Sequence, residues 1–287
     1  MKRILITGKN SYIGNSFKKW VSKWPDKYRT YSISVRGDEW RKHDFSQYDV
    51  LLHCAGIAHV SAKPKMAKEY YRVNRDLAID IAKKAKKENV RQFIFMSSII
   101  VYGESGKINE KKVIDIDTQP EPSNFYGDSK LQAEKGIKLL ETDDFKIAIL
   151  RPPMIYGKDS KGNYQKLSKL AKVTPIFPDI DNQRSMLHID NLCEFLRLII
   201  DNEDRGVFFP QNDEYVKTSE MVRLIANVNG KKIKLIKNMD FLFRFLSGRI
   251  NIINKVFGNL VYEKGMSLYK ENYIVRNFKE SIEISEK

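Results

Sequence analysis

The sequence predicts an α/β chain: a doubly wound parallel sheet followed by a smaller, less regular C-terminal domain. Three observations predict it. Short apolar runs alternate with amphipathic stretches of helical period as far as residue 150. A turn bounded by Gly8 and Gly14 joins the first apolar run to the first helical one. After Pro152 and Pro153 the alternation loosens.

Residues 3–7 read as a buried strand, and residues 13–24 as a helix stopped by Pro25. Residues 30–35 form a second strand of alternating character, and residues 50–54 a third, strongly apolar one. A long helix is expected over residues 67–89, with Val73, Leu77, Ala78, Ile81, Ala82 and Ala85 on its inner stripe and its lysines in water. Residues 92–97 make the fourth strand, 126–140 the next helix and 146–150 the strand after it. Residues 1–153 are thus expected to form the first domain and residues 154–287 mainly the second. In the latter, turns mix with a short helix near 164–172. A helix over 191–201, with Leu192, Phe195, Leu196 and Ile199 at core spacing, precedes a short strand at 206–209. The segment near 187–205 is therefore expected to return to the first domain. A helix at 219–228 and a strand at 231–236 follow.

The chain has 287 residues, enough for a large core, and its 42% hydrophobic and 11% aromatic content excludes a disordered polymer. Cys54 and Cys193 cannot build a disulfide framework, which fits a reducing compartment. No apolar run approaches the ~18 residues of a membrane span. The net charge is +15, but the basic residues are spread along the chain with no zinc-finger spacing or RNA-binding aromatic motif. They read as solvated surface, and no nucleic-acid partner is expected. Residues 239–257 are both apolar and basic. They read as packed helices or a flap, with peripheral membrane contact as the other use of such a segment. His53 and His59 show no third ligand, so no metal is expected and His53 reads as a satisfied core histidine.

The strongest chemical signal is the pair Tyr126 and Lys130. Four residues are one helical turn, so both side chains project from one face. A phenol normally loses its proton near pH ~10, and an ammonium beside it is expected to bring that value towards neutrality. The fourth strand runs into Ser97 and Ser98, at the carboxyl edge where ligands bind in parallel sheets. Ser98 is a candidate donor to a substrate oxygen, so Ser98, Tyr126 and Lys130 form a candidate catalytic set. Upstream, residues 7–14 follow a strand and open a helix, as a dinucleotide turn requires. Gly8 permits the tight turn and Gly14 close helix–strand packing, with Ser11 where a middle glycine is usual. Asn10, Ser11, Tyr12 and Ile13 place backbone donors at the positive end of that helix. Cys54, Ala55 and Gly56 end the third strand with small side chains that let a cofactor approach. Arg36, aided by Arg41 and Lys42, favours NADP(H), while Asp38 keeps NAD(H) open. Asp44 and Phe45 are candidate adenine contacts.

Five motifs in order (residues 7–14, 49–56, 97–103, 126–130 and 151–157) and a sixth at 184–191 resemble the extended short-chain dehydrogenase/reductase family. The likeness is to its NAD-dependent epimerase/dehydratase group and covers about residues 1–200. It implies a Rossmann-like domain, a small C-terminal substrate-binding domain and a homodimer formed through a helix pair that includes the Tyr126 helix. It also implies that Lys130 holds the nicotinamide ribose, that Asn74 and Pro153 lie by the cofactor, and that Arg184 contacts a sugar-nucleotide diphosphate. Met154 stands where some 4-epimerases carry a substrate-binding asparagine.

Sugar 4,6-dehydratases of this group usually follow the strand-end hydroxyl with Asp-Glu. Here those positions are Ile99 and Ile100, which cannot exchange protons. A 4-epimerase with tightly held NAD and a 4-ketoreductase with exchangeable NAD(P)H both need only Ser98, Tyr126 and Lys130. Residues 151–157 and 177–186 look most like reductases of bacterial capsule and lipopolysaccharide pathways. Those make UDP-N-acetylfucosamine or UDP-N-acetylquinovosamine from UDP-4-keto-6-deoxy-N-acetylhexosamine. The expectation is a cytoplasmic bacterial enzyme with a UDP-sugar substrate, membrane-proximal if residues 239–257 dock there. The alternative is a 4-epimerase of UDP-hexose or UDP-N-acetylhexosamine. A non-catalytic dinucleotide sensor ranks lower, since such proteins typically lose the tyrosine or the lysine.

Overall fold

The computed structural model describes residues 1–58, 64–106, 110–237 and 256–287. In chain order its first half holds β1 (Lys2–Thr7), α1 (Tyr12–Val21), β2 (Tyr28–Ile33), β3 (Val50–His53), α2 (Ala67–Tyr70), α3 (Leu77–Lys87), β4 (Gln92–Met96), β5 (Val113–Ile114), α4 (Phe125–Lys138) and β6 (Lys146–Leu150). There follow β7 (Met154–Tyr156), α5 (Asn163–Val173), β8 (Ile176–Pro178), β9 (Met186–His188), α6 (Ile189–Asp201), β10 (Gly206–Phe208), α7 (Thr218–Val228), β11 (Lys234–Ile236), β12 (Val261–Tyr262) and α8 (Phe278–Glu286).

The chain divides into two compact units. The first comprises residues 1–103, 119–152 and 192–210. Its six-stranded sheet runs β2-β1-β3-β4-β6-β10, with every neighbouring pair parallel. Strands covered on both faces need unbroken apolar runs. Ile4, Leu5 and Ile6 of β1, Val50 to Leu52 of β3 and Phe93 to Phe95 of β4 meet that need and are buried. The α3 stripe packs against them through Ala78, Ile81, Ala82 and Ala85, and α6 buries Leu192, Phe195, Leu196 and Ile199, with the Phe195 ring edge-on to Phe208 of β10. Between α2 and α3 the helix is not continuous as expected: Tyr71–Asp76 is wound as a π-helix.

The second unit comprises residues 104–118, 153–191 and 211–287. Its core gathers Tyr156, Tyr164, Leu167, Phe177, Met221 and Ile225 around α5, α7 and α8. Three short parallel pairs, β7–β9, β8–β11 and β5–β12, bind its segments together. The β5–β12 pair draws residues 104–118 into this unit, although the sequence reading placed them in the first domain. The segment shared with the first unit starts at Leu192 and not near residue 187. Residues 238–255, and so nearly all of the apolar-basic segment 239–257, lie outside the described residues, as does His59.

Candidate active site

Sheet register brings the chemistry-bearing segments of the first unit to one edge. Thr7 is level with Ile33 and His53, His53 with Phe95, and Met96 with Leu150. The segments beginning at Gly8, Cys54, Ser97 and Arg151 therefore leave the carboxyl ends of four adjacent parallel strands. The strand order reverses between β1 and β3, the crevice where ligands bind in such sheets.

Gly8 has φ +90°, and a Cβ there would sit 3.1 Å from the Ala55 nitrogen. At Gly14 a Cβ would meet Ile6 Cγ2 at 2.7 Å and Ser11 Oγ at 2.5 Å. Ser11 is the N-cap of α1; its hydroxyl accepts from the Gly14 amide at 3.1 Å and bonds the Cys54 thiol. This is how serine serves where glycine is usual: its side chain folds back onto the helix end. Burial pushes the Cys54 thiol up to about 12, so it fills space and is no nucleophile at neutral pH. A Cβ at Gly56 would lie 3.1 Å from Asn74 Oδ1 and 3.3 Å from Lys130 Nζ. These glycines line a backbone cradle below a helix N-terminus, which fits a dinucleotide pyrophosphate.

Asn74 is fully buried on the π-turn. Its amide accepts from Ile57 N at 2.8 Å and donates to Ile57 O at 3.1 Å and Ser129 Oγ at 3.3 Å. It thus ties the loop after β3 to α4. Arg36 is exposed just past β2 and makes no ion pair among the described residues. Arg41 and Lys42, expected to help it, are instead paired with Asp38, Asp80 and Glu39. Asp44 is exposed, and its carboxylate accepts from Ser46 N and Oγ. Phe45 has its ring in the core, and its amide donates to Glu88 at 2.6 Å.

Asn124 caps α4 by accepting from Gly127 N at 3.0 Å, which starts the helix so that Tyr126 and Lys130 share a face. Gly127 lets that helix approach the turn after Ser98: a Cβ there would lie 2.6 Å from Ile100 O. Ser98 hydrogen-bonds the Tyr126 phenol, and its own hydroxyl accepts from Ile100 N at 3.3 Å. Tyr70 packs edge-on against the Tyr126 ring. The phenol does not titrate as expected: burial pushes it up to about 12, and Lys130 does not lower it. The Lys130 ammonium instead donates to Met96 O at 2.8 Å and sits 4.6 Å over the Phe95 ring. Burial brings it down to about 8, against the attraction of Glu134.

The sequence reading missed the network behind this set. Arg151 and Glu134 form a buried bidentate pair, with Nη2 donating to Oε2 at 2.6 Å and Nε to Oε1 at 3.2 Å. The Ser97 hydroxyl donates to Glu134, and Arg151 Nη1 donates to the Tyr102 phenol at 2.6 Å. One carboxylate on α4 thereby fixes both segments flanking Ser98. The available signal was Glu134 standing one turn beyond Lys130 on the buried face. His53 is only half satisfied: Nδ1 pairs with Thr7 Oγ1 at 2.8 Å, while Nε2 has no partner among the described residues. Its buried ring is pushed down to about 3, so it is neutral and a poor base at pH 7.

Pro153, Met154 and Arg184 belong to the second unit. There Met154, Arg184, Met186, Val216 and Thr218 line one small cavity. Arg184 Nη1 donates to Gly258 O at 3.1 Å. Burial lowers its guanidinium to about 10, which leaves it cationic at neutral pH and suited to an anion. Among the described residues, no group of three His, Cys, Asp or Glu side chains could hold a metal, and no helix is long and apolar enough to cross a membrane.

The profile of the NAD dependent epimerase/dehydratase family matches residues 4–209. The chain is 30% identical over 287 aligned positions to a UDP-glucose 4-epimerase of Vibrio cholerae, covering 90% of this chain and 86% of that one. It is 29% identical to the N-acetyl-alpha-D-glucosaminyl-diphospho-ditrans,octacis-undecaprenol 4-epimerase of Escherichia coli O157:H7, over 66% of this chain and 58% of that one. Among solved structures, a dTDP-4-dehydrorhamnose reductase of Clostridium acetobutylicum superposes with a TM-score of 0.76 at 18% identity, covering 99% and 98% of the two chains. A UDP-glucuronic acid 4-epimerase of Bacillus cereus in complex with NAD gives 0.74 at 16% identity, covering 99% and 94%. At such identities these two share the fold.

Proposed function

This chain belongs to the NAD dependent epimerase/dehydratase family, and on that premise we propose that it is a nucleotide-sugar 4-ketoreductase. Its substrate in this reading is a UDP-4-keto-6-deoxy-N-acetylhexosamine, reduced to UDP-N-acetylfucosamine or UDP-N-acetylquinovosamine. The observation that carries the reading is the Ser98–Tyr126 hydroxyl pair, with a phenol held protonated and isoleucines at 99 and 100 where a dehydratase needs acids.

A nicotinamide dinucleotide held along Gly8, Gly14 and Gly56 would supply the hydride for C4. Tyr126 gives its proton to the C4 oxygen as charge develops there. Ser98 donates a hydrogen bond to the same oxygen and aims it at the phenol. Lys130, fixed by Met96 O and beside Gly56, is the residue that would hold the nicotinamide ribose. Asn74 holds the cradle loop. The exposed Arg36 favours NADP(H) over NAD(H). Arg184 is the diphosphate contact in this reading, and Met154 and Pro153 contact sugar and cofactor. The enzyme is taken to be a cytoplasmic homodimer, a point that light scattering checks.

Incubation with NADPH and the keto sugar is expected to consume both in equal amounts. Tyr126→Phe should cut turnover by about 10²–10⁴-fold while leaving NADPH binding unchanged. A second reading, C4 epimerisation with retained NAD, is favoured by the activities named for the Vibrio and Escherichia relatives. Mass spectrometry of the purified protein separates the two. Co-purifying NAD, with interconversion of UDP-hexosamines and no added cofactor, would replace the reductase reading with the epimerase one.

A further inference from the structure

More than half of the positive charge excess of this chain is concentrated in two segments of the second unit. Residues 160–178 and 229–237 carry four lysines each and no acidic residue, against a net charge of +15 for all 287 residues. The fold joins them: β11 pairs with β8 so that Lys234 stands level with Ile176, and Lys234 N donates to Pro175 O at 2.9 Å. The end of α5 and the starts of β8 and β11 therefore share one corner. Three large apolar side chains stand exposed there, Leu170 at 41%, Val173 at 79% and Ile176 at 51%. Lys166 and Lys169 stand one turn before Leu170 and Val173, Lys234 is level with Ile176, and Lys231 and Lys232 lead into β11; all five are exposed and without ion pairs among the described residues. The nearby acids are already engaged: Glu286 pairs with Lys172 at 2.9 Å, and Asp179 pairs with Lys217 at 2.8 Å and faces Lys237.

We infer that this corner docks on an anionic lipid surface. An ordinary solvated face intersperses both signs of charge and hides large aliphatics. Here aliphatic tips stand inside a lysine rim, the arrangement of an interfacial face that inserts its centre and lays its cations on the headgroups. Nucleic acid would satisfy the lysines but leave Val173 and Ile176 in water. The inference draws on none of residues 239–255 and is independent of the C4 chemistry, because vesicle binding needs no turnover.

The test is sedimentation of the full chain with vesicles of equal parts phosphatidylglycerol and phosphatidylcholine, against phosphatidylcholine alone. The wild type is expected to pellet with the anionic vesicles only. Lys166→Glu with Lys169→Glu should weaken partitioning by about tenfold or more, since each lysine near such a surface counts separately. Val173→Ser with Ile176→Ser should also weaken vesicle binding, while leaving any binding to duplex DNA unchanged. All four positions are exposed, so thermal melts of both variants should match the wild type. Equal pelleting with neutral vesicles, or none with either, would overturn the inference. So would unaltered binding by both double variants, which would move the contact elsewhere, for example to residues 239–257. Loss in the lysine variant alone would make the face a simple polyanion contact and overturn it too.

Discussion

Removing the charge of Glu134 tests whether the network behind Ser98 is structural, catalytic or both. Glu134 and Arg151 are only 4% and 9% exposed, so Glu134→Leu leaves a guanidinium in a low-dielectric setting without its carboxylate, Nη1 still donating to the Tyr102 phenol. Breaking a buried pair from one side costs about 3–5 kcal/mol, whereas replacing both partners by apolar groups of similar volume is often neutral. At about 2–4 °C per kcal/mol for chains of about 150–250 residues, the single variant should melt roughly 6–20 °C lower. The assay is a double-mutant cycle in urea and by thermal melting: Glu134→Leu, Arg151→Met and the two together. The double variant should recover most of the loss. Turnover should not recover with it, because the Ser97 hydroxyl loses its acceptor and Lys130 loses the carboxylate that favours its charged form. A single-variant cost below about 1 kcal/mol, as for an exposed pair, would refute the reasoning. So would a double variant as unstable as the sum of the singles.

Gly127→Ala should destabilise by about 1–3 kcal/mol, because its Cβ would press to 2.6 Å on the Ile100 carbonyl. It should lower kcat/KM by about tenfold or more through displacement of Ser98, which steady-state kinetics at controlled folding will show. His53 and His188 are pushed down to about 3 and about 4, so between those values and about 6.5 the unfolded chain holds more protons than the folded one. Stability should therefore fall as pH drops from about 6.5, by up to about 1.4 kcal/mol per pH unit for each ring. His53→Phe combined with Thr7→Val should flatten its share in urea titrations. Lys130 acts at the other end: folded near 8 against an ordinary 10.5, its burial penalty is full below pH 8 and is relieved as pH rises through that window. Wild-type stability should gain an alkaline increment there that Lys130→Met lacks.

The first unit was largely readable because its signals are local. Strands buried on both faces must be runs such as Ile4–Leu5–Ile6, and α3 shows its inner face through Ala78, Ile81, Ala82 and Ala85. The second unit was not, because its strands β5, β7, β8, β9 and β12 are two or three residues long, too short for any period to register. The C-terminal helix α8 went unread although its start was legible: Asn277 and Glu280 form a capping box. The π-turn holding Asn74 breaks no composition rule, since only its packing against Ile57 and Ser129 demands the extra residue. The Arg151–Glu134 pair spans 17 positions and joins a strand end to a helix, a separation at which sequence offers no partner rule.

The same distinction explains why the titration expected of Tyr126 reversed. Tyr126 and Lys130 were placed correctly by helical spacing, but spacing speaks of proximity and not of solvation. Burial acts on both groups at once and favours the neutral form of each, raising the phenol to about 12 and lowering the amine to about 8. A charge pair between them would require desolvating two ions, while the Met96 carbonyl offers the ammonium a partner at 2.8 Å without that cost. The resting state is thus a proton donor beside a lysine tied to the strand edge. Such a phenol holds a proton at neutral pH that it can deliver to a forming alkoxide, the half of the exchange on which the proposed reduction rests. How these two groups titrate follows from where α4 is buried, not from the motif it carries.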